Sequence, residues 1–282
     1  EVELIRLQEN LGFGRGNNIG ISRSIECGFR YSFLFNQDAY VTPTSVAELQ
    51  AFLDTNDDYG VVTPLHCSPD LSSVDHRTLR VYLNRFASDY VSDACIGTVR
   101  PFYRIRGVNA AAWVVRNSTF TKVGGFDPLF FMYGEDDDLI ERLAHHKVPF
   151  GLLPSSRIVH LREPVVPPKP FILGRLKRSA NRNRSALLTQ IKQPHVSISH
   201  ALLYLLVIGI ARPMLAFLME RDGVSLLGHW LAALRIATEL PAIRRHTVQC
   251  AREGSHFLPH GVKSAMHSTS IAVSEGTGTG FR

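Results

Sequence analysis

The chain has 282 residues, 45% hydrophobic and 20% charged, with Lys+Arg 31 against Asp+Glu 25 for a net charge of +6. That length and polarity support one large or two small packed domains and exclude a collagen-like chain, a disulfide mini-protein and wholesale disorder. The four cysteines (27, 67, 95 and 250) form no CxxC pair, so a zinc ribbon or dithiol redox motif is not expected, and reduced thiols in a cytosolic compartment are.

The opening residues, EVELIRLQEN, have neither a basic region nor an apolar run of leader type, so no secretory signal is expected in them. Residues 2–7 read as a short strand. Residues 10–18, NLGFGRGNN, read as a turn-rich loop, with Asn17 or Asn18 capping a helix that carries Ile19, Ile21 and Ile25. Residues 31–35 are an apolar run of strand length that ends at Asn36-Gln37-Asp38. Thr42-Pro43 then opens a helix with Val46, Leu49, Phe52 and Leu53 on one face, and residues 59–63 form a third strand. This alternation predicts an α/β fold with a mostly parallel sheet.

Residues 66–75 read as a loop that leads into a helix, and 103–108 and 110–115 as extended. The run Glu135-Asp136-Asp137-Asp138 opens a helix through Leu139, Ile140 and Leu143, and two short strands, 150–153 and 157–161, flank Pro154. Composition changes near residue 162. Pro164, Pro167, Pro168 and Pro170 mark a linker, and Arg175, Lys177, Arg178, Arg182 and Arg184 follow without an intervening acid. Residues 196–219 are apolar around a central Arg212-Pro213, residues 225–237 read as an amphipathic helix, and the Ser/Thr/Gly/His-rich end from 251 reads as disordered. The expected division is 1–162, 163–250 and 251–282.

Several groups can carry chemistry. An acid at a strand's carboxyl end, such as Asp38, can hold a divalent cation against a diphosphate, or simply close an Asx turn. Helix-terminal acids are favoured by the helix dipole, but four adjacent carboxylates exceed what capping needs, so one could serve as a general base or meet a cation. His160, at a strand end, is a metal-ligand candidate or a structural histidine. The glycine-rich loop matches neither the Walker pattern nor GxGxxG, so it is weak evidence for phosphate binding.

Four blocks together carry a resemblance: ENLGFGRGNNIGI (9–21), FLFNQDAYVTP (33–43), GGFDPLFFMYGEDDDLIERL (124–143) and LPSSRIVH (153–160). In order and spacing the chain resembles the family 2 glycosyltransferases, above all their rhamnosyltransferase-like branch, over about residues 2–165. The resemblance implies a GT-A fold and inverting transfer of a sugar, rhamnose-like among the options, from a nucleotide-diphospho-sugar. The acceptor would be a polysaccharide or lipid-linked glycan of bacterial cell-envelope synthesis. It places Asp136 as catalytic base with Glu135 beside it, and Asn10, Gly12, Asn17, Asn36 and Asp38 near the donor. Asp38 and His160 would hold Mg²⁺ or Mn²⁺. Asn36 stands where the family's metal motif has its first acid. The family pattern also begins about 50 residues earlier, by typical domain size, so an N-terminally truncated domain with an open sheet edge is expected. A catalytically inactive remnant acting as a binding or interaction protein is the alternative.

The apolar stretch 196–219 is nearly long enough to span a bilayer, but a central charge is costly there. An in-plane helix at the cytoplasmic face of the membrane, with 175–184 facing anionic headgroups, is the expectation. A soluble hairpin packed on the catalytic half, or a membrane-surface protein whose α/β half is only scaffold, are the rivals. The basic cluster lacks interleaved aromatics, so no nucleic-acid partner is expected.

Overall fold

In a computed structural model, the structure describes residues 3–161 and 171–261. The first element is α1 (Phe13–Glu26), followed by β1 (Tyr31–Phe35), β2 (Ala39–Val41), α2 (Ser45–Thr55) and β3 (Val61–Cys67). A π-helical segment, Thr78–Leu83, leads into α3 (Asn84–Phe86) and α4 (Ser88–Ile96). Next come β4 (Tyr103–Ile105), β5 (Ala112–Arg116), α5 (Asn117–Val123), α6 (Glu135–His145) and β6 (Phe150–His160). The rest is helical: α7 (Ile172–Ile191), α8 (Ile198–Tyr204), a second π-helical segment Leu205–Ala211, α9 (Arg212–Glu220) and α10 (Gly223–Cys250).

The fold is α/β around a six-stranded sheet of order β1-β5-β3-β6-β2, with β4 also on β6. β3 and β6 run parallel at its centre, and the β1/β5, β3/β5, β2/β6 and β4/β6 pairs flank them antiparallel. This mixed sheet under helices is consistent with a GT-A-like nucleotide-sugar transferase fold. β1 ends the sheet, and among the described residues no strand lies on its outer edge.

Some expected elements shift. Residues 3–7 form no strand. The glycine-rich loop is helical from Phe13, because Phe13 packs edge-to-face on Phe126 and Asn18 bonds both backbone groups of Phe126. On α2, Leu49, Phe52 and Leu53 are buried but Val46 is exposed. β3 begins two residues later than expected and runs on to Cys67, and β6 is one bulged strand across Pro154 instead of two. The segment 251–261, expected to be disordered, packs on the α/β half: Leu258 joins its core, and the Phe257 carbonyl accepts from Asn18. The proline-rich stretch 164–170 lies outside the described residues.

The main core gathers Trp113, Phe120, Phe126, Leu139 and Phe150 between sheet and helices. A second core forms among the C-terminal helices, and Phe130 enters it with Leu187, Leu188, Leu205, Ala232 and Ile236. Two aromatics four residues apart thus fasten two layers together, one in each core.

A buried charge cluster completes the joint. Lys192, just past α7, reaches Asp127 Oδ2 at 3.0 Å and Asp138 Oδ1 at 2.5 Å. Arg142 bonds Asp138 at 2.9 Å and the carbonyls of Val123 and Gly125. His246 on α10 bonds Asp127 at 2.8 Å. Burial opposes charge on Asp127, but His246 and Lys192 outweigh it and hold the carboxyl at about 2. Removing one partner from such a cluster strands the opposite charge in a dry interior. Lys192→Met is therefore expected to cost about 3 kcal/mol or more of unfolding free energy, read from urea denaturation; an unchanged midpoint would show the cluster to be neutral for stability.

Candidate active site

The β1–β2 turn and the end of β6 meet through strand pairing. β2 pairs with β6 so that Ala39 faces His160, and the Leu161 amide donates to the Asp38 carbonyl at 2.8 Å. Register alone thus sets Asp38 beside His160, with carboxylate and Nε2 3.3 Å apart. Asn36 is fixed where β1 ends by its amide bond to the Ala111 carbonyl.

The opposite wall is the start of α6. Tyr133 and Gly134 both take positive φ, 69° and 89°, which turns the chain sharply into the helix. A Cβ at Gly134 would stand 2.7 Å from Thr189 Oγ1, so glycine suits both the angle and the space there. The first turn then presents its acids to different surroundings. Asp138 turns inward to Lys192 and Arg142. Glu135, Asp136 and Asp137 face a cleft of about 570 Å³. The same cleft is lined by Asn36, Asp38 and His160, so five of the eight sequence-predicted site residues converge.

Asn10, Gly12 and Asn17 do not line the cleft. Asn10 accepts from the Gly12 amide at 2.9 Å in an exposed turn. Gly12 takes φ 80° and lies so near the Phe131 carbonyl that no Cβ fits. Asn17 donates to the Phe13 carbonyl and borders a separate groove beside β1. Helix formation from Phe13 turns this segment into packing, and only Phe13 itself reaches the cleft.

The cleft also holds residues that no motif marked. Arg77 supplies a positive charge, and Asn109 has its buried Oδ1 without a hydrogen-bond partner among the described residues. Arg77 lies in the helical turn just before the first π-helical segment and Asn109 in an irregular stretch after β4, and neither belongs to a motif.

The electrostatics fit proton transfer. Desolvation and the neighbouring Asp136 push Glu135 up to about 7, and its buried Oε2 has no hydrogen-bond partner among the described residues. Desolvation and Asp136 also push Asp137 up to about 6, against the pull of Arg85. Burial raises Asp136 as well, opposed by the amides of Asp137 and Ala110 (3.0 and 3.4 Å) and by Arg77. A carboxylate whose proton affinity is raised towards neutrality is a stronger base while still ionisable.

Asp38 and His160 offer one carboxylate and one imidazole. Among the described residues no group of three or more His, Cys, Asp or Glu could hold a metal ion. These two side chains could supply at most two ligands to a divalent cation, whose other positions would be diphosphate oxygens and water.

A family model described as the N-terminal domain of galactosyltransferase matches residues 93–164. The chain carries a glycosyltransferase-like domain. The matched span of this domain includes the acidic start of α6 and His160, and excludes Asn36 and Asp38. No curated protein matches the chain.

The raised acids bear on stability. In its folded state the chain keeps protons on Glu135 and Asp137 that the unfolded chain releases near 4.5 and 3.8. Their contribution is present at the acid end and lost as pH rises through about 6 and 7, at up to about 1.4 kcal/mol per pH unit for each group. Melting temperature should therefore fall from pH 5 to pH 8, and Glu135→Gln should flatten that fall; a profile that rises across this window would refute the assignment. The opposite effect of Asp127 acts only below about pH 4.

Proposed function

We propose that this chain is an inverting glycosyltransferase of the family 2, rhamnosyltransferase-like kind, which moves a sugar from a nucleotide-diphospho-sugar to a polysaccharide or lipid-linked acceptor. The observation that supports this most is the convergence of Asn36, Asp38 and His160 with Glu135 and Asp136 on one cleft in a glycosyltransferase-like domain. A divalent cation bound at Asp38 and His160 would offset charge developing on the leaving diphosphate. Arg77 adds a fixed positive charge to the same cleft, close enough to Asp136 to lower its proton affinity.

Asp136 takes the proton from the acceptor hydroxyl as its oxygen attacks the anomeric carbon. The new C–O bond forms on one face while the bond to the diphosphate breaks on the other, and the electron pair leaves with the nucleoside diphosphate. One base and one displacement invert the centre, the same stereochemical logic that separates inverting from retaining glycosidases. Burial raises the proton affinity of Asp136, against the pull of two backbone amides and Arg77.

The reading includes a place at the cytoplasmic face of the membrane. Ile198–Glu220 is 23 residues, long and apolar enough to cross a bilayer, and only 17% of its apolar window is buried. Pro213 starts α9 where the preceding turns are π-helical, and Gly209 packs on Ala233, so the run is pinned along α10. An in-plane helix fits this attachment, with the Arg/Lys side chains of α7 near anionic headgroups.

Calorimetric titration with UDP-, dTDP- and GDP-sugars, with and without Mn²⁺, tests the donor site. Metal-dependent binding of one nucleotide class is expected; folded protein that binds none would point to the non-catalytic alternative. Asp136→Asn is expected to lower transfer about 10²- to 10⁴-fold while donor binding persists, and full turnover would remove Asp136 as base. Asp38→Ala should abolish the Mn²⁺ dependence of donor binding, which the same titration reads.

A further inference from the structure

The cleft is charged unevenly. Asp38, Glu135, Asp136 and Asp137 line it, and against them Arg77 is the one fixed positive charge among its described lining residues. A nucleoside diphosphate brought between these walls meets like charge on both sides, which opposes binding unless its oxygens are paired. Asp38 and His160 would answer part of that repulsion through a divalent cation. Arg77 is placed to answer another part.

Its position is set by the first π-helical segment, Thr78–Leu83, after which the Asn84 amide reaches back five residues to the Leu79 carbonyl. Such turns align residues five apart instead of four, and they recur at functional sites. Arg77 and Tyr82 accordingly both line the cleft, whereas Val81 is exposed. The turn begins at Asp75, whose carboxylate accepts from the Thr78 amide at 2.7 Å. Thr78 is buried with its hydroxyl 3.5 Å from His66 Nδ1, and the His66 ring packs edge-to-face on His160, their centroids 6.1 Å apart. The residue next to Arg77 is thus tied to the wall that carries His160. The Arg77 side chain is exposed and acts on Asp136, across the cleft, through its charge. It therefore stands between the candidate cation site and the candidate base.

We propose that Arg77 is a further catalytic residue: it faces Asp136 before the donor binds and moves to the diphosphate when the donor enters, so that donor binding itself releases the base. This rests on the transferase reading above and adds an order of events to it. The guanidinium offers a planar fork that matches two phosphate oxygens. In the displacement, the bond from the anomeric carbon to the diphosphate oxygen breaks, its electron pair stays on that oxygen, and the Arg77 N–H groups meet the charge there. The proton of the attacking hydroxyl passes to Asp136. By then Asp136 has lost the positive neighbour that lowers its proton affinity, while Glu135 and Asp137 of the same helix remain beside it.

The test is calorimetric titration of the full chain with inorganic pyrophosphate, UDP, dTDP and GDP, in EDTA and again with Mg²⁺. Arg77→Gln is expected to weaken diphosphate binding about tenfold or more in both conditions, as loss of a charge-assisted bond implies. Arg77→Lys should recover part of it, since it keeps the charge without the fork. Arg80→Gln, exposed on the same helical run but outside the cleft, should bind as the wild type does. The exchange is read from a double-mutant cycle: Asp136→Asn should tighten diphosphate binding, and by about twofold or more further with Arg77 present than in Arg77→Gln. Wild-type affinity in Arg77→Gln, or an equal loss in Arg80→Gln, would overturn the proposal and leave the transferase reading intact. An equal gain from Asp136→Asn in both backgrounds would overturn the exchange. Melting curves check the fold of Arg77→Gln; should it unfold, Arg77→Lys decides, and wild-type affinity there overturns the forked contact. A folded wild-type chain that binds none of the four diphosphates would sink the transferase reading and this role together.

Discussion

The Lys192 ammonium, held between the carboxylates of Asp127 and Asp138, is the constraint on which the architecture turns. Four acids at one helix terminus repel one another, and the helix dipole offsets only part of that. Here Asp138 is neutralised from behind by Lys192 and Arg142, so α6 can keep three carboxylates at the cleft. Burial of those three carboxylates, with repulsion from Asp136 added at Glu135 and Asp137, appears as raised proton affinity. A single charge pattern in the sequence thus serves two purposes, and only the fold separates them.

The same joint explains why the helical half does not behave as an appendage. Phe130 lies in its core, Arg184 bonds the Leu129 carbonyl at 3.0 Å, and Ser185 bonds the Met132 carbonyl. The loop before α6 is therefore gripped by α7 on one side and by the sheet core, through Phe126, on the other. Packing of this half and exposure of its outer face are compatible: α7 and α10 form the inner layer, and the second π-helical segment and α9 present Leu206, Leu215 and Leu218 outward.

Much of this was legible from residues alone. The run 31–35 coincides with β1, and the acidic run opens α6 at Glu135, because alternation of apolar residues and a helix-terminal charge cluster are local signals. The convergence of Asp38, His160 and Asp136 followed from resemblance between distant blocks, and strand register brings it about. The glycine-rich segment was misread because local turn propensity lost to tertiary contacts: Asn18 and Phe13 find partners at Phe126, over a hundred residues away in sequence. Arg77 and Asn109 carried no signal, since their place at the cleft comes from where a helical turn and a loop land in the fold. The end from 251 looked disordered by composition, yet Phe257 and Leu258 suffice to dock its first part.

The order in which the chain is made acquires weight from the Lys192 cluster. Asp127, Asp138 and Arg142 leave a ribosome well before Lys192, and His246 later still. Domains generally fold as units during synthesis, N-terminal parts first. During that interval Arg142 is, among the described residues, the buried counter-charge on hand for Asp138, and Phe130 has no helical core to enter. The acidic wall of the cleft, encoded in the middle of the chain, thus gains its full set of buried counter-charges only once Lys192 and His246 have been made.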